Sequence, residues 1–174
     1  EKCLINEKAA QQLLDSPEGK GRFGRSKDTE SGGSSGLAQL YIVRSKGSDQ
    51  YLVCSYLVDY WCLGVKDTFG PRKMNRQKYQ QMLHHSRQNF DQDFREITLE
   101  QAQSIVFGAV EYAEPCGLKP HPDFERSKPY LREPPETLLP IEFGRDGKPF
   151  YLCGPYDNPD KIIQTLRENV GEGN

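Results

Sequence analysis

The sequence predicts an α+β domain, with a mixed or antiparallel sheet built from two β-hairpins and three or more helices packed on one face. Three observations carry that expectation: a long apolar run at 51–67 behind a turn, an Asp146-Gly147 hairpin signal, and a strongly capped helix beginning at Thr98. At 174 residues the chain suits one domain with a core of its own.

Residues 4–14 (LINEKAAQQLL) read as a short, weakly amphipathic helix. Residues 16–36 are rich in Gly, Ser, Lys and Arg and end in SGGSSG, the composition of a flexible linker. Residues 1–36 are therefore expected to form a helix and a Gly/Ser/basic loop ahead of a single α+β domain at 37–174. Leu37–Arg44 reads as a strand apolar on both faces. Gly47-Ser48-Asp49 turns the chain, and the run from Tyr51 pairs back on it. That run is too long for one ordinary strand, so a bend is expected at Gly64 or a bulge near Asp59.

Asn75 to Phe90 reads as a helix with Tyr79, Met82, Leu83, Ser86 and Phe90 along one side. In the next helix Thr98 and Gln101 form a capping box. Ala102, Ile105, Val106, Ala109, Val110 and Ala113 then follow helical spacing until Pro115 and Gly117 stop it. The opposite side (Ser104, Phe107, Glu111) is expected to be solvated unless a second layer covers it. A Pro-rich connection at 119–140 leads to Ile141–Phe143 and Phe150–Cys153, the arms of a second hairpin. Asn158 caps a last helix that has Pro159 at its first position and Ile162, Ile163, Leu166 and Val170 on one face.

Hydrophobic residues make up 35% of the chain and the mean hydropathy is -0.78, lean but within the globular range. The net charge of -2 excludes a polycation built to coat nucleic acid, so anion binding has to be local. Five scattered cysteines, with no C-x-x-C pair, read as reduced thiols in a cytoplasmic protein. No apolar stretch approaches the ~20 residues of a membrane span, and nothing reads as a signal peptide.

Asp59 is the first candidate site residue. A carboxylate inside an apolar strand either borders a pocket or is satisfied by bulge amides, Lys66 or an arginine. Asp67 lies eight residues on, ~26 Å away in a straight strand, and joins it only if the chain folds back at Gly64. In HPDF, His121 and Asp123 are a base with its orienter, metal ligands, or a surface histidine and a turn cap. Asp59, His121 and Asp123 are thus the candidate catalytic groups. Asp59, Asp67, His121 and Asp123 are the candidate metal set if the chain is a divalent-metal-assisted phosphodiester hydrolase; no other cofactor is expected. His84 and His85 are adjacent on a helix and point ~100° apart, a poor metal pair.

Basic segments give a different expectation. Lys66, Arg72, Lys73, Arg76 and Lys78 cluster at 66–78, with Arg76 and Lys78 in the first turn of a helix, where cations oppose the macrodipole. That placement suits a phosphate-bearing partner or nucleic acid, and equally suits a solvated charged surface. Lys20, Arg22, Arg25 and Lys27 form a second basic stretch on the Gly-rich loop. GKGRFG (19–24) spells a dinucleotide fingerprint but has neither the strand before it nor the helix after it. The leading expectation is a phosphate-binding domain, with the metal-assisted hydrolase second. A protein-interaction module using Phe107, Tyr56, Tyr60 and Trp61 is third.

Three blocks, LVDYWCLGVKD (57–67), FGAVEYAEPCGLKPHPDF (107–124) and EFGRDGKPFYLCGPYDNP (142–159), taken together resemble a widespread family of uncharacterised bacterial proteins with the same blocks in the same order. The resemblance covers residues 37–174 and implies no activity, cofactor or site residue.

Overall fold

The structure is a computed structural model and describes residues 1–15 and 35–171. The second basic stretch, the GKGRFG motif and nearly all of the Gly/Ser linker lie outside the described residues. The α+β expectation holds: a five-stranded antiparallel sheet of order β4-β3-β2-β1-β5 is accompanied by five α-helices among the described residues. The strands are β1 (Lys2–Asn6), β2 (Leu37–Ser45), β3 (Gln50–Asp59), β4 (Gly64–Asn75) and β5 (Phe94–Ile97). The helices are α1 (Glu7–Leu14), α2 (Arg76–Phe90), α3 (Leu99–Ala113), α4 (Phe124–Ser127) and α5 (Pro159–Val170). Among the described residues no helix is long and apolar enough to cross a membrane.

The expected helix at 4–14 is corrected at its start. Leu4, Ile5 and Asn6 belong to β1, which pairs antiparallel with β2 on one side and β5 on the other. An interior sheet position offers two ladders and burial, and these override a weak local helical preference. Asn6 marks the strand's end, its Oδ1 accepting the Gln39 amide at 2.9 Å. The expected boundary at 36/37 therefore does not divide the sheet, because β1 lies inside it.

β2 and β3 form the expected hairpin, with Leu37 opposite Asp59 and Ser45 opposite Tyr51. The long run does not bend. It reverses, giving the unforeseen strand β4, with Asp59 opposite Gly64 and Leu57 opposite Asp67, and a register shift between Leu57 and Val58 supplies the bulge expected near Asp59. Gly64 adopts φ +72°, a left-handed conformation that favours glycine, with its Cα close under α3.

Strict alternation sends Ile5, Leu40, Ile42, Cys54, Tyr56 and Val58 to one face, where α3 buries Ala102, Ile105, Val106 and Ala109 against them. Leu4, Tyr41, Val43 and Val53 point the other way and meet Tyr79, Met82 and Leu83 of α2. Helices thus cover both faces rather than the single face expected, as the two-sided apolar character of β2 requires.

A second layer covers the outer side of α3. Gln103 Nε2 donates to the carbonyls of Leu131 and Glu133, the Leu139 amide donates to Ser104 Oγ, and Phe143 lies over Gly108. Phe107 is buried beneath it, while Glu111 is exposed as expected. At Asp146-Gly147 the turn forms, both residues at positive φ, but its arms do not pair as strands beyond an Arg145–Lys148 bridge. The arms instead straddle the β3–β4 loop. The Gly144 amide donates to the Tyr60 carbonyl (2.9 Å) and the Phe150 amide to that of Trp61 (3.1 Å).

Candidate functional site

Because β4 folds back, Asp59, Lys66 and Asp67 meet around a cavity of about 700 Å³ on the sheet face opposite α3. Leu37 and Leu57 form its floor, His121 one wall, and residues 152–157 a strap across it.

Asp59 is 6% exposed and closes the β3–β4 loop, its Oδ1 accepting the amides of Trp61 (2.9 Å) and Cys62 (3.0 Å). Burial pushes its carboxyl up to about 6, although those amides and the charge of Lys66 pull the other way. Both sequence readings of Asp59 are thus realised: it caps a turn, and it borders a cavity. Trp61 sits in the loop rather than along the strand, its ring edge-on to Phe150 with Arg145 over its face at 5.4 Å.

His121 is held from two sides. Its amide donates to the Val65 carbonyl of β4 (2.9 Å), and α4 follows at once, anchored by buried Phe124 and by Ser127. The Ser127 carbonyl accepts the Tyr56 hydroxyl, and its own hydroxyl meets that of Thr68, each at 2.6 Å. His121 Nδ1 accepts the Asp123 amide at 3.1 Å, so the neutral ring carries its proton on Nε2, 4.0 Å from an Asp67 oxygen. Asp123 is exposed, its carboxylate 3.9 Å from the ring.

Asp157 is a central member of the site. It takes Lys66 Nζ at 3.2 Å, the Gly154 amide at 2.7 Å and the Tyr151 hydroxyl at 3.1 Å. Burial pushes its carboxyl up, but the Gly154 amide and Lys66 outweigh that and hold it below the ordinary carboxylate range. Lys66 and Asp157 are 91 residues apart, and no local pattern joins them.

The five candidate anion-binding residues do not converge. Lys66 is paired with Asp157. Arg72 stacks on Phe69 at 4.3 Å and faces a separate, smaller pocket. Lys73 neighbours it on β4 and so projects from the other side of the strand. Arg76 donates to the Ser48 carbonyl, and its amide donates to Asp49. Lys78 is exposed, its amide capped by Asn75. The metal set does not assemble either: among the described residues no three His, Cys, Asp or Glu side chains gather to hold an ion. Of the aromatics read as an interaction surface, Tyr56, Tyr60 and Phe107 are buried in the core. Four cysteines are buried as free thiols and Cys153 is exposed.

Compared with protein-family models, curated proteins and solved structures, the chain matches none. The reading of the cavity rests on its own geometry.

Proposed function

We propose that this chain is a small-molecule-binding domain whose ligand occupies the cavity between the open end of the sheet and the 152–157 strap. The observation that supports this reading is a space of about 700 Å³ with leucine walls and a buried carboxylate at its edge. Ligand sites occupy roughly 300–1,000 Å³ and combine apolar walls with a few convergent polar groups. Asp59 adds a second support. An asparagine would still accept the Trp61 and Cys62 amides without a desolvated charge, so those two bonds alone give no reason for an acid.

The test is amide chemical-shift mapping with a mixed set of neutral, anionic and cationic fragments. Fragments of at least one class are expected to move the signals of Leu57, Asp59, Cys153 and Tyr156. Leu152→Trp, at a half-exposed rim position, is expected to remove those shifts while leaving the fold intact. A set in which no fragment of any class perturbs these residues overturns the reading.

A second reading keeps phosphate or nucleic-acid recognition on β4 and α2. It is favoured by exposed Arg72, Lys73 and Lys78 around the start of α2, where the first turn has no acidic residue of its own and the Asp49 carboxylate takes the Arg76 amide. Salt-dependent binding of single- or double-stranded nucleic acid, weakened by Arg76→Ala with Lys78→Ala, is its expected signature. Affinity unchanged in that double variant discards it.

A further inference from the structure

Resting on the cavity reading, we infer that the ligand is an organic cation: an ammonium or amidinium head on a compact apolar body. Among the described residues three carboxylates border the cavity (Asp59, Asp67, Asp157) against one lysine, and that lysine is engaged by Asp157. Among the described residues no lysine or arginine pairs with Asp59 or Asp67. His121 is the nearest counter-group to Asp67, and in its neutral form it offers a hydrogen-bond donor but no charge. The wall is therefore net negative, and an anionic ligand would meet unbalanced carboxylates in a partly desolvated space.

The remaining wall fits the body of such a ligand. Leu37, Leu57 and Leu152 supply apolar area, and Tyr156, 99% exposed at the rim, supplies an aromatic face. Aromatic faces over a cation add to an acid's attraction, and apolar walls take the hydrocarbon part. Asp59 is the deepest of the three acids, and a cation beside it would favour its ionised form. Binding should therefore strengthen as pH rises through about 6. Among the described residues the other charged or titratable groups around that space are Lys66 and Asp67 from β4, His121 from the loop before α4, and Cys153, Tyr156 and Asp157 from the strap.

The experiment is calorimetric titration with four matched probes at pH 7.5 and 5: phenethylammonium, benzamidinium, phenethyl alcohol and phenyl phosphate. The two cations are expected to bind, more tightly at the higher pH, and the alcohol and phosphate to bind at least about tenfold more weakly. Asp59→Asn is expected to weaken cation binding by about 10–100-fold, the range for losing a hydrogen bond to a charged group, and Asp67→Asn, at a largely exposed side chain, by about two- to fivefold. The alcohol should be indifferent to both substitutions, which separates lost charge from lost fold. Preferential binding of alcohol or phosphate at these residues overturns the cation assignment and leaves the cavity reading standing. Cation binding unaltered by both substitutions also overturns the assignment. Silence from all four probes, with no shift at Leu57 or Asp59, overturns both.

Discussion

Under α3 the sheet presents Ile5, Leu40, Ile42, Cys54, Tyr56 and Val58 to a helix whose Ile105, Val106 and Ala109 leave no room between them. On the opposite face α2 covers Leu4, Tyr41, Val43 and Val53, but no α2 residue lines the space above Leu37, Leu57 and Asp59. Polar groups enter on that second face: Gln39 donates to Ser55 at 2.7 Å, and Asp59 ends the row. One alternation along the same strands thus yields a dry core and a cavity. The two faces differ in the kind of segment that covers them. An amphipathic helix with a full apolar stripe closes one face, whereas the irregular strap at 152–157 spans the other without filling it.

The largest test of that contrast compares two truncations. Ile105→Ala, at a fully buried position, is expected to lose about 2–5 kcal/mol in urea unfolding, the usual cost of a core cavity. Leu57→Ala, on a half-buried cavity wall, should lose less than about 1 kcal/mol, because no close-packed neighbours are left behind. Similar losses at both positions would mean that the space above Leu57 closes in solution, and the contrast would collapse.

Asp59→Asn should act in the opposite direction. Its folded value is raised to about 6 against an ordinary 3.8, so between those pH values the native state binds more protons than the unfolded chain. Ionising Asp59 therefore removes stability as pH rises from about 4 to 6, and by pH 7 the loss is complete, about 3 kcal/mol. Asparagine keeps the acceptor for Trp61 and Cys62. The variant should gain up to about 3 kcal/mol at pH 7 and almost nothing at pH 4. Urea unfolding of both proteins at the two pH values reads the difference directly. A variant less stable than the parent at pH 7 would show that the charge is needed by the fold, and the case for a ligand-directed acid would weaken.

Much of this contrast was legible in the residues. The capping box and stripe of α3, the β2–β3 hairpin, the N-cap of α5, and Asp59 as an acid in an apolar strand all come from local chemistry. The conditional meeting of Asp59 with Asp67 through a reversal at Gly64 was also visible. What escaped was non-local. Nothing in KCLIN marks it as an interior strand, since its reason is a place between β2 and β5. The arms of the Asp146-Gly147 turn look like strands, but they bond to the Tyr60 and Trp61 carbonyls. Lys66 and Asp157 meet only because the strap crosses β4. The dispersal of the basic segment escaped for the same reason: cations adjacent in sequence point to different sides of a strand or turn back to carbonyls.

The smallest expected effect concerns the strap itself. Lys66→Met removes the cation from Asp157 while leaving it the Gly154 amide and Tyr151 hydroxyl. Global stability should fall by about 1–2 kcal/mol, since both side chains are largely buried but Asp157 keeps two of its partners. Local opening should respond more. The Gly154 amide should exchange with solvent faster, with no change at the Ile105 amide of α3. The pH dependence has its own sign: the Asp157 carboxyl is held below its ordinary 3.8, so the latch is whole above that value and is lost as pH falls through the lowered one. In Lys66→Met that acid loosening should begin at higher pH, because the lysine is one of the groups holding the carboxyl down. If Ile105 and Gly154 accelerate together, strap and core open as one unit, and the cavity has no lid separable from the fold.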